Sequence, residues 1–357
     1  MTGLRLQARA LAHVRSSLVA TVLLMCLGCA HPTPPFLDEF GAPASGGIAE
    51  ETYLPLPGAE EYLLIRGQSR SNPVVLFVHG GPGGSETAVM RAFHAELEQS
   101  LVMAYWDQRG AGKSYRADTP PALMTLSQFV QDMDSIVDYL RVHLGQDRIF
   151  LLGHSWGASL GLLYARQFPE KIAGYIGVGQ TSGPEMERHA YDFVVGEATQ
   201  RGDQSALADL ERIGLPPYSE HNKGHIRDRL LHRYGGYTYA PVSLGQIIWR
   251  ALWTPEAGLR DLFRAWSALH FSQETMAGEL ARFDLPREVP SLDVPVTFIL
   301  GRHDHRTWAP LAERYLEQLT APHKKLFWLE HSAHNGPFEE PVAFRRLVLE
   351  AVAAAHR

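Results

Sequence analysis

The stretch Arg148-Ile-Phe-Leu-Leu-Gly-His-Ser-Trp-Gly157 sets an unbroken apolar run directly against a Gly-x-Ser-x-Gly pentapeptide. A helical pattern follows from Trp156 to Phe168, ended by Pro169. A continuous apolar run of this length reads as a strand buried on both faces. A serine on a sharp strand-to-helix turn has a strained backbone, and glycine on either side avoids a Cβ clash. The turn leaves the Ser155 hydroxyl at the C-terminal end of a sheet, above the positive end of the next helix. Ser155 is therefore the expected nucleophile; the strand–turn–helix context favours that role over a simple helix cap.

Outward from the elbow the chain alternates strands and helices. Glu61 to Arg66, Pro73 to His79 and Leu101 to Trp106 have strand character, and Leu126 to Leu144 carries its apolar residues at a helical period. Beyond the elbow, Ile172 to Val178, Val294 to Leu300 and Lys325 to Leu329 read as strands, with helices at Pro310 to Leu319 and Glu340 to Ala355. The fold class this implies is α/β, a mostly parallel sheet with helices on both faces, over 51–182 and 286–357. Residues 183–285 interrupt the alternation. They are polar and helix-rich, with Trp249, Trp253 and Trp266 in helical stretches, and read as a folded helical cap over one end of the sheet.

Three further signals converge on Ser155. His79-Gly-Gly-Pro-Gly83 follows a strand, and a Gly-rich loop there brings backbone N–H groups close to a substrate oxygen. Gly81 is expected to supply one oxyanion donor and Trp156, the residue after the nucleophile, the other. The loop lacks the lysine of a phosphate-binding loop and the spacing of a dinucleotide fingerprint. Asp304 follows a strand and is expected to orient the base. It is preferred to Asp107, which precedes the nucleophile, because the elbow's chain order is Ser, acid, His. Asp107 is expected to pair with Arg109 near the site. His334 is preferred as base to His331, which stays close to the strand end. A metal reading of His303-x-His305 or His331-x-x-His334 would need a converging third ligand and would leave the elbow unexplained.

Together, His79-Gly-Gly-Pro-Gly83, Asp107-Gln-Arg-Gly110 with Gly112-Lys113-Ser114, and Gly153-His-Ser-Trp-Gly157 resemble the proline iminopeptidase branch of the α/β-hydrolase superfamily. The resemblance runs from about Glu50 to the C-terminus and is weakest across 183–285. It implies a sheet core with a helical cap, a Ser155–Asp304–His334 triad, Gly81 and Trp156 as oxyanion donors, no cofactor, no metal, and release of N-terminal residues, typically proline, from peptides. Lys113 stands where the family often has Arg, and Ser332-Ala333-His334 where it has Ser-Gly-His. An esterase or amidase acting on small apolar acyl substrates with the same triad is the alternative.

Composition narrows the partners. The 357 residues carry 33 Lys and Arg against 39 Asp and Glu, a net charge of −6, so a nucleic-acid partner is not expected. Arg5, Arg9 and Arg15 precede the apolar run Leu18 to Leu27, the form of an export signal over residues 1–28, with 29–50 as linker. Gly28-Cys29 resembles the end of a bacterial lipobox, which would make Cys29 a lipidated first residue and attach the protein to a membrane; alternatively cleavage falls before His31. Removing 1–28 leaves 30 basic against 39 acidic residues, a net charge of −9. In the cap, Glu187, with Glu185 as the weaker candidate, is expected to pair with a substrate ammonium.

Overall fold

Eight strands form one sheet in the order β1-β2-β4-β3-β5-β6-β7-β8. They are β1 (Ile48–Leu56), β2 (Ala59–Gly67), β3 (Val74–Val78), β4 (Val102–Trp106), β5 (Ile149–His154), β6 (Ile172–Val178), β7 (Val296–Gly301) and β8 (Lys324–Leu329). The computed structural model describes residues 33–239 and 242–355. The expected export signal and the expected lipidation of Cys29 lie outside the described residues. β1 and β2 form an antiparallel hairpin, β2 pairs antiparallel with β4, and every other pairing is parallel.

Successive side chains of a strand point to opposite faces, and here both faces are covered. Val74, Leu76 and Val78 of β3 pack into one layer with α2 (Leu126–Leu144), α3 (Trp156–Gln167) and α10 (Ala309–Gln318). Val75 and Phe77 pack into the other with α1 (Thr87–His94) and α11 (Pro341–Ala355). That double burial is why the strands read as unbroken apolar runs. α2 is fixed at its ends by the Thr125 side chain, which accepts from Gln128 N at 3.2 Å, and by Gly145 in the left-handed region at φ 63°. β1 and α1 are additions to the pattern reading. β1 is an edge strand with one face in water, so Glu50, Glu51 and Thr52 give it no apolar run.

Between β6 and β7 the chain is helical: α4 (Glu185–Arg201), α5 (Gln204–Ile213), α6 (His221–Arg233), α7 (Leu244–Ala251), α8 (Leu259–Leu280) and α9 (Leu285–Glu288). α4 to α6 bury Val194, Leu210 and Leu231 among themselves. α8 lies over the loop that follows β3: a Cβ on Gly83 would meet Ala268 O, Leu269 Cα and Ser272 Cβ within 3 Å. Because β3, β5, β6, β7 and β8 run parallel, the loops leaving their C-terminal ends share the edge that the helices cover.

Candidate active site

β5 delivers Ser155 to that edge in the strained conformation of a nucleophile elbow, φ 54° and ψ −116°. The turn closes only because its flanks lack side chains. A Cβ on Gly157 would collide with the carbonyl oxygen of Val78, and one on Gly153 with that of Gly157. β7 ends at Gly301 and its loop carries Asp304; β8 ends at Leu329 and its loop carries His334. The structure brings the three together: His334 Nε2 is 2.9 Å from Ser155 Oγ, and His334 Nδ1 is 2.9 Å from Asp304 Oδ2. Asp304 also accepts from Arg306 N at 2.8 Å, Thr307 N at 3.0 Å and Thr307 Oγ1 at 2.7 Å. Burial alone would raise its carboxyl pKa; the neighbouring His334 and these donors outweigh it and hold the carboxyl at about 2. Asp304 is therefore ionised at neutral pH, orienting Nδ1–H and leaving Nε2 free to take a proton.

The loop after β3 and the start of α3 supply donors. Among the described residues, neither the Gly81 N–H nor the Trp156 N–H donates to a protein acceptor. Gln108 ties their two segments together. Its Nε2 donates to His79 O at 2.9 Å, its N–H to His79 Nε2 at 3.0 Å, and its Oε1 accepts from Trp156 Nε1 at 2.9 Å. Glu86 makes a second tie. One oxygen accepts from Gly80 N at 3.0 Å, and the other lies 2.8 Å from His154 Nδ1. His154 Nε2 reaches His334 O at 3.1 Å. Burial opposes charge on His154, but the Glu86 carboxylate raises its pKa above the ordinary value. Only the doubly protonated ring can donate to both oxygens. Glu86 and His154 thus join the Gly-rich loop, the Ser155 turn and the backbone of His334.

The profile of the alpha/beta hydrolase fold family matches residues 73–341. The protein named "Probable aminopeptidase YbaC" of Bacillus subtilis (strain 168) is 32% identical over 309 residues, which cover 85% of this chain and 96% of that one. The chain is an α/β hydrolase of the proline iminopeptidase branch. The proline iminopeptidase of Heyndrickxia coagulans is 26% identical over 287 residues, 77% of this hydrolase and 88% of its relative. Among solved structures, the proline iminopeptidase-related protein of Thermus thermophilus aligns over 86% of the hydrolase and 98% of its own chain, with TM-score 0.62 and 24% identity, a likeness of fold.

The cap of the hydrolase contributes a strap that no sequence signal announced. Gly236 O accepts from His305 N at 3.0 Å, Tyr237 O from His334 N at 3.1 Å, and Thr238 Oγ1 from Asn335 Nδ2 at 2.8 Å. The Tyr237 ring stands edge-on to the His334 ring, centroids 4.9 Å apart. This one short segment therefore laces the loop of Asp304 to the loop of His334.

Other expectations are corrected. Glu187 is not presented as a free carboxylate for an ammonium. One of its oxygens pairs with Arg227 and the other with Arg306 Nη1 at 2.9 Å. Burial works against the charge, yet the two guanidinium groups hold its carboxyl at about 2. Glu185 is exposed, with Arg314 Nη2 at 3.7 Å. Asp107 and Arg109 do not pair with each other. Asp107 accepts from Ser85 Oγ at 2.6 Å, Thr87 Oγ1 at 2.7 Å and Lys113 N at 2.8 Å, while Arg109 pairs with Asp132 at 2.8 Å. His331 is exposed, its N–H held by Glu340 at 2.8 Å. His303 stacks on Tyr239, and His305 on Phe193 and His189.

Proposed function

We propose that this hydrolase is an aminopeptidase that releases an N-terminal residue, proline first among the candidates, through an acyl-enzyme on Ser155. The observation that carries the reading is the hydrogen-bonded chain Ser155–His334–Asp304 beside two unpaired backbone N–H groups. His334 Nε2 takes the hydroxyl proton as Ser155 Oγ attacks the carbonyl carbon. Gly81 N–H and Trp156 N–H stabilise the oxyanion. His334 then protonates the leaving amine, and water resolves the ester by the same route in reverse. The names of the curated relatives support peptide substrates.

A second reading is favoured by one observation. Glu187 is already neutralised by arginines, so the cap residue expected to select a substrate ammonium is not available. An esterase or amidase for small apolar acyl groups would need no such carboxylate. The experiment is a hydrolysis panel with the full chain: prolyl, alanyl and leucyl arylamides, each free and N-acetylated, against short-chain aryl esters. Preferential cleavage of the free-amine prolyl substrate supports the aminopeptidase. Equal cleavage of free and acetylated substrates sinks it and leaves the esterase. Labelling by a fluorophosphonate probe that disappears in Ser155→Ala tests the nucleophile in either case.

A further inference from the structure

Helices α7 and α8 turn large apolar side chains to water. On α7, Ile247 and Ala251 are buried, while Leu244 and Ile248 are exposed and Trp249 is 62% exposed. Trp253, just past the helix end, is 59% exposed and sits 5.6 Å from Trp249 between ring centroids. On α8, Ala268 and Ser272 are buried against the loop after β3, while Phe263 is 80% and Trp266 65% exposed. Exposed aromatic side chains on consecutive helices are unusual on a monomer and mark a surface that meets something. Tryptophan is the side chain most at home at a membrane interface, where its ring is half wet and half apolar.

Two observations say what covers this face. The first is the anchorage of Thr33. Thr33 is buried, and its Oγ1 donates to Glu256 Oε1 at 3.0 Å, in the loop that joins α7 to α8. Thr33 N donates to Glu51 at 2.8 Å, Arg66 also reaches Thr33 Oγ1, and Arg91 pairs with Glu256 at 3.2 Å. A buried knot of charges thus fixes Thr33 against Glu256, three residues past Trp253. Cys29, where a lipid would be attached, is only four residues upstream, a reach of about 14 Å at most. The second is charge. The protein is acidic overall, yet Arg250, Arg260 and Arg264 are exposed across these helices, and of the two acids between them Glu256 is held by Arg91 while Asp261 accepts from Gly258 N at 3.0 Å. Exposed arginines beside tryptophans suit an anionic lipid surface.

We propose that the α7–α8 face is a membrane-docking surface: tethered upstream of Thr33, the protein seats Trp249, Trp253, Phe263 and Trp266 in the headgroup region of an anionic bilayer. The tether alone keeps the protein at the bilayer; this face is a second contact that fixes how the protein sits on it. The test uses the full-length protein recovered from the cell envelope and transferred to mixed phosphatidylcholine and phosphatidylglycerol vesicles with brominated acyl chains. Flotation with the vesicles reads the tether, and quenching of tryptophan emission reads the face. Three of the seven tryptophans lie on the face, so emission should fall by roughly a third or more relative to unbrominated vesicles. The W249F/W253F/W266F variant should float equally well and lose that quenching. Flotation without quenching overturns the docking face while leaving the tether; no flotation overturns both. A dimer in solution that W249S/W253S renders monomeric, without quenching, would assign the face to a second copy and overturn the membrane.

Discussion

The two halves of the candidate site are held by different parts of the molecule. Ser155 and its donors are fixed within the sheet core, by glycines packed against β3 and by Gln108 and Glu86 bridging neighbouring loops. Asp304 and His334 sit on loops whose backbone is laced by the cap, at Gly236, Tyr237 and Thr238. The core half is rigid because a Cβ has no room in it. The cap half is positioned by hydrogen bonds that a shift of one helix could break. Ser155 and His334 therefore meet at 2.9 Å with the His334 backbone held from two sides, by His154 in the core and by Tyr237 in the cap.

The largest effect breaks the core half. Ser155→Ala should abolish turnover, by on the order of 10⁴-fold or more, while circular dichroism stays unchanged. Wild-type-like rates would remove the mechanism. Next, Asp304→Asn should lower kcat by about 10⁴ by favouring the wrong imidazole tautomer. Asp107→Asn should act mainly on stability, because Asp107 accepts from Ser85, Thr87 and Lys113 and does not touch His334. A reversal of those two outcomes in parallel kcat and denaturation measurements would reassign the acid.

The comparison itself is sharpened by two substitutions of similar size. Gln108→Leu unties the donor loop from Trp156, and Gly236→Val drives a side chain into Phe193 and the His305 Cβ, lifting the strap. Each should cost about 10–100-fold in kcat. Hydrogen exchange should loosen at 79–83 in the first variant and at 303–307 and 333–335 in the second. If both loosen the same loops, the two halves are one unit.

The smallest effect concerns the cap's grip beside the acid. Glu187 has a carboxyl lowered to about 2 by Arg227 and Arg306, so its contribution to stability is full above the unfolded value of about 4.3 and is lost as pH falls towards 2. Glu187→Gln should cost about 1–3 kcal/mol at pH 7, and the gap between variant and wild type in urea should shrink below pH 4. A gap that is constant with pH would mean the side chain acts by packing alone.

The elbow, the Gly-rich loop and the order of acid and base were legible in the sequence because each is a local pattern at the end of an apolar strand. What stayed hidden depends on distance along the chain. Glu187 looked like a free carboxylate since its partner Arg306 lies 119 residues away. Gln108 sits in a motif that could be quoted, but its work, joining His79 to Trp156, exists only once β3, β4 and β5 are side by side. The strap at 236–239 has no apolar period at all, because it acts through backbone carbonyls. β1 escaped notice because an edge strand needs no run of apolar residues.

The strap has a consequence for how such a protein can be remade. A helical insert that only roofed the sheet could be exchanged between relatives as a module, carrying specificity with it. Here the insert's own main chain also holds the loops of Asp304 and His334. A transplanted insert must bring a backbone that offers carbonyl groups at the heights of Gly236 and Tyr237, whatever side chains it displays to a substrate. Recombinants cut at the ends of α4 and α9 are then expected to fold and yet turn over poorly until that short stretch is restored.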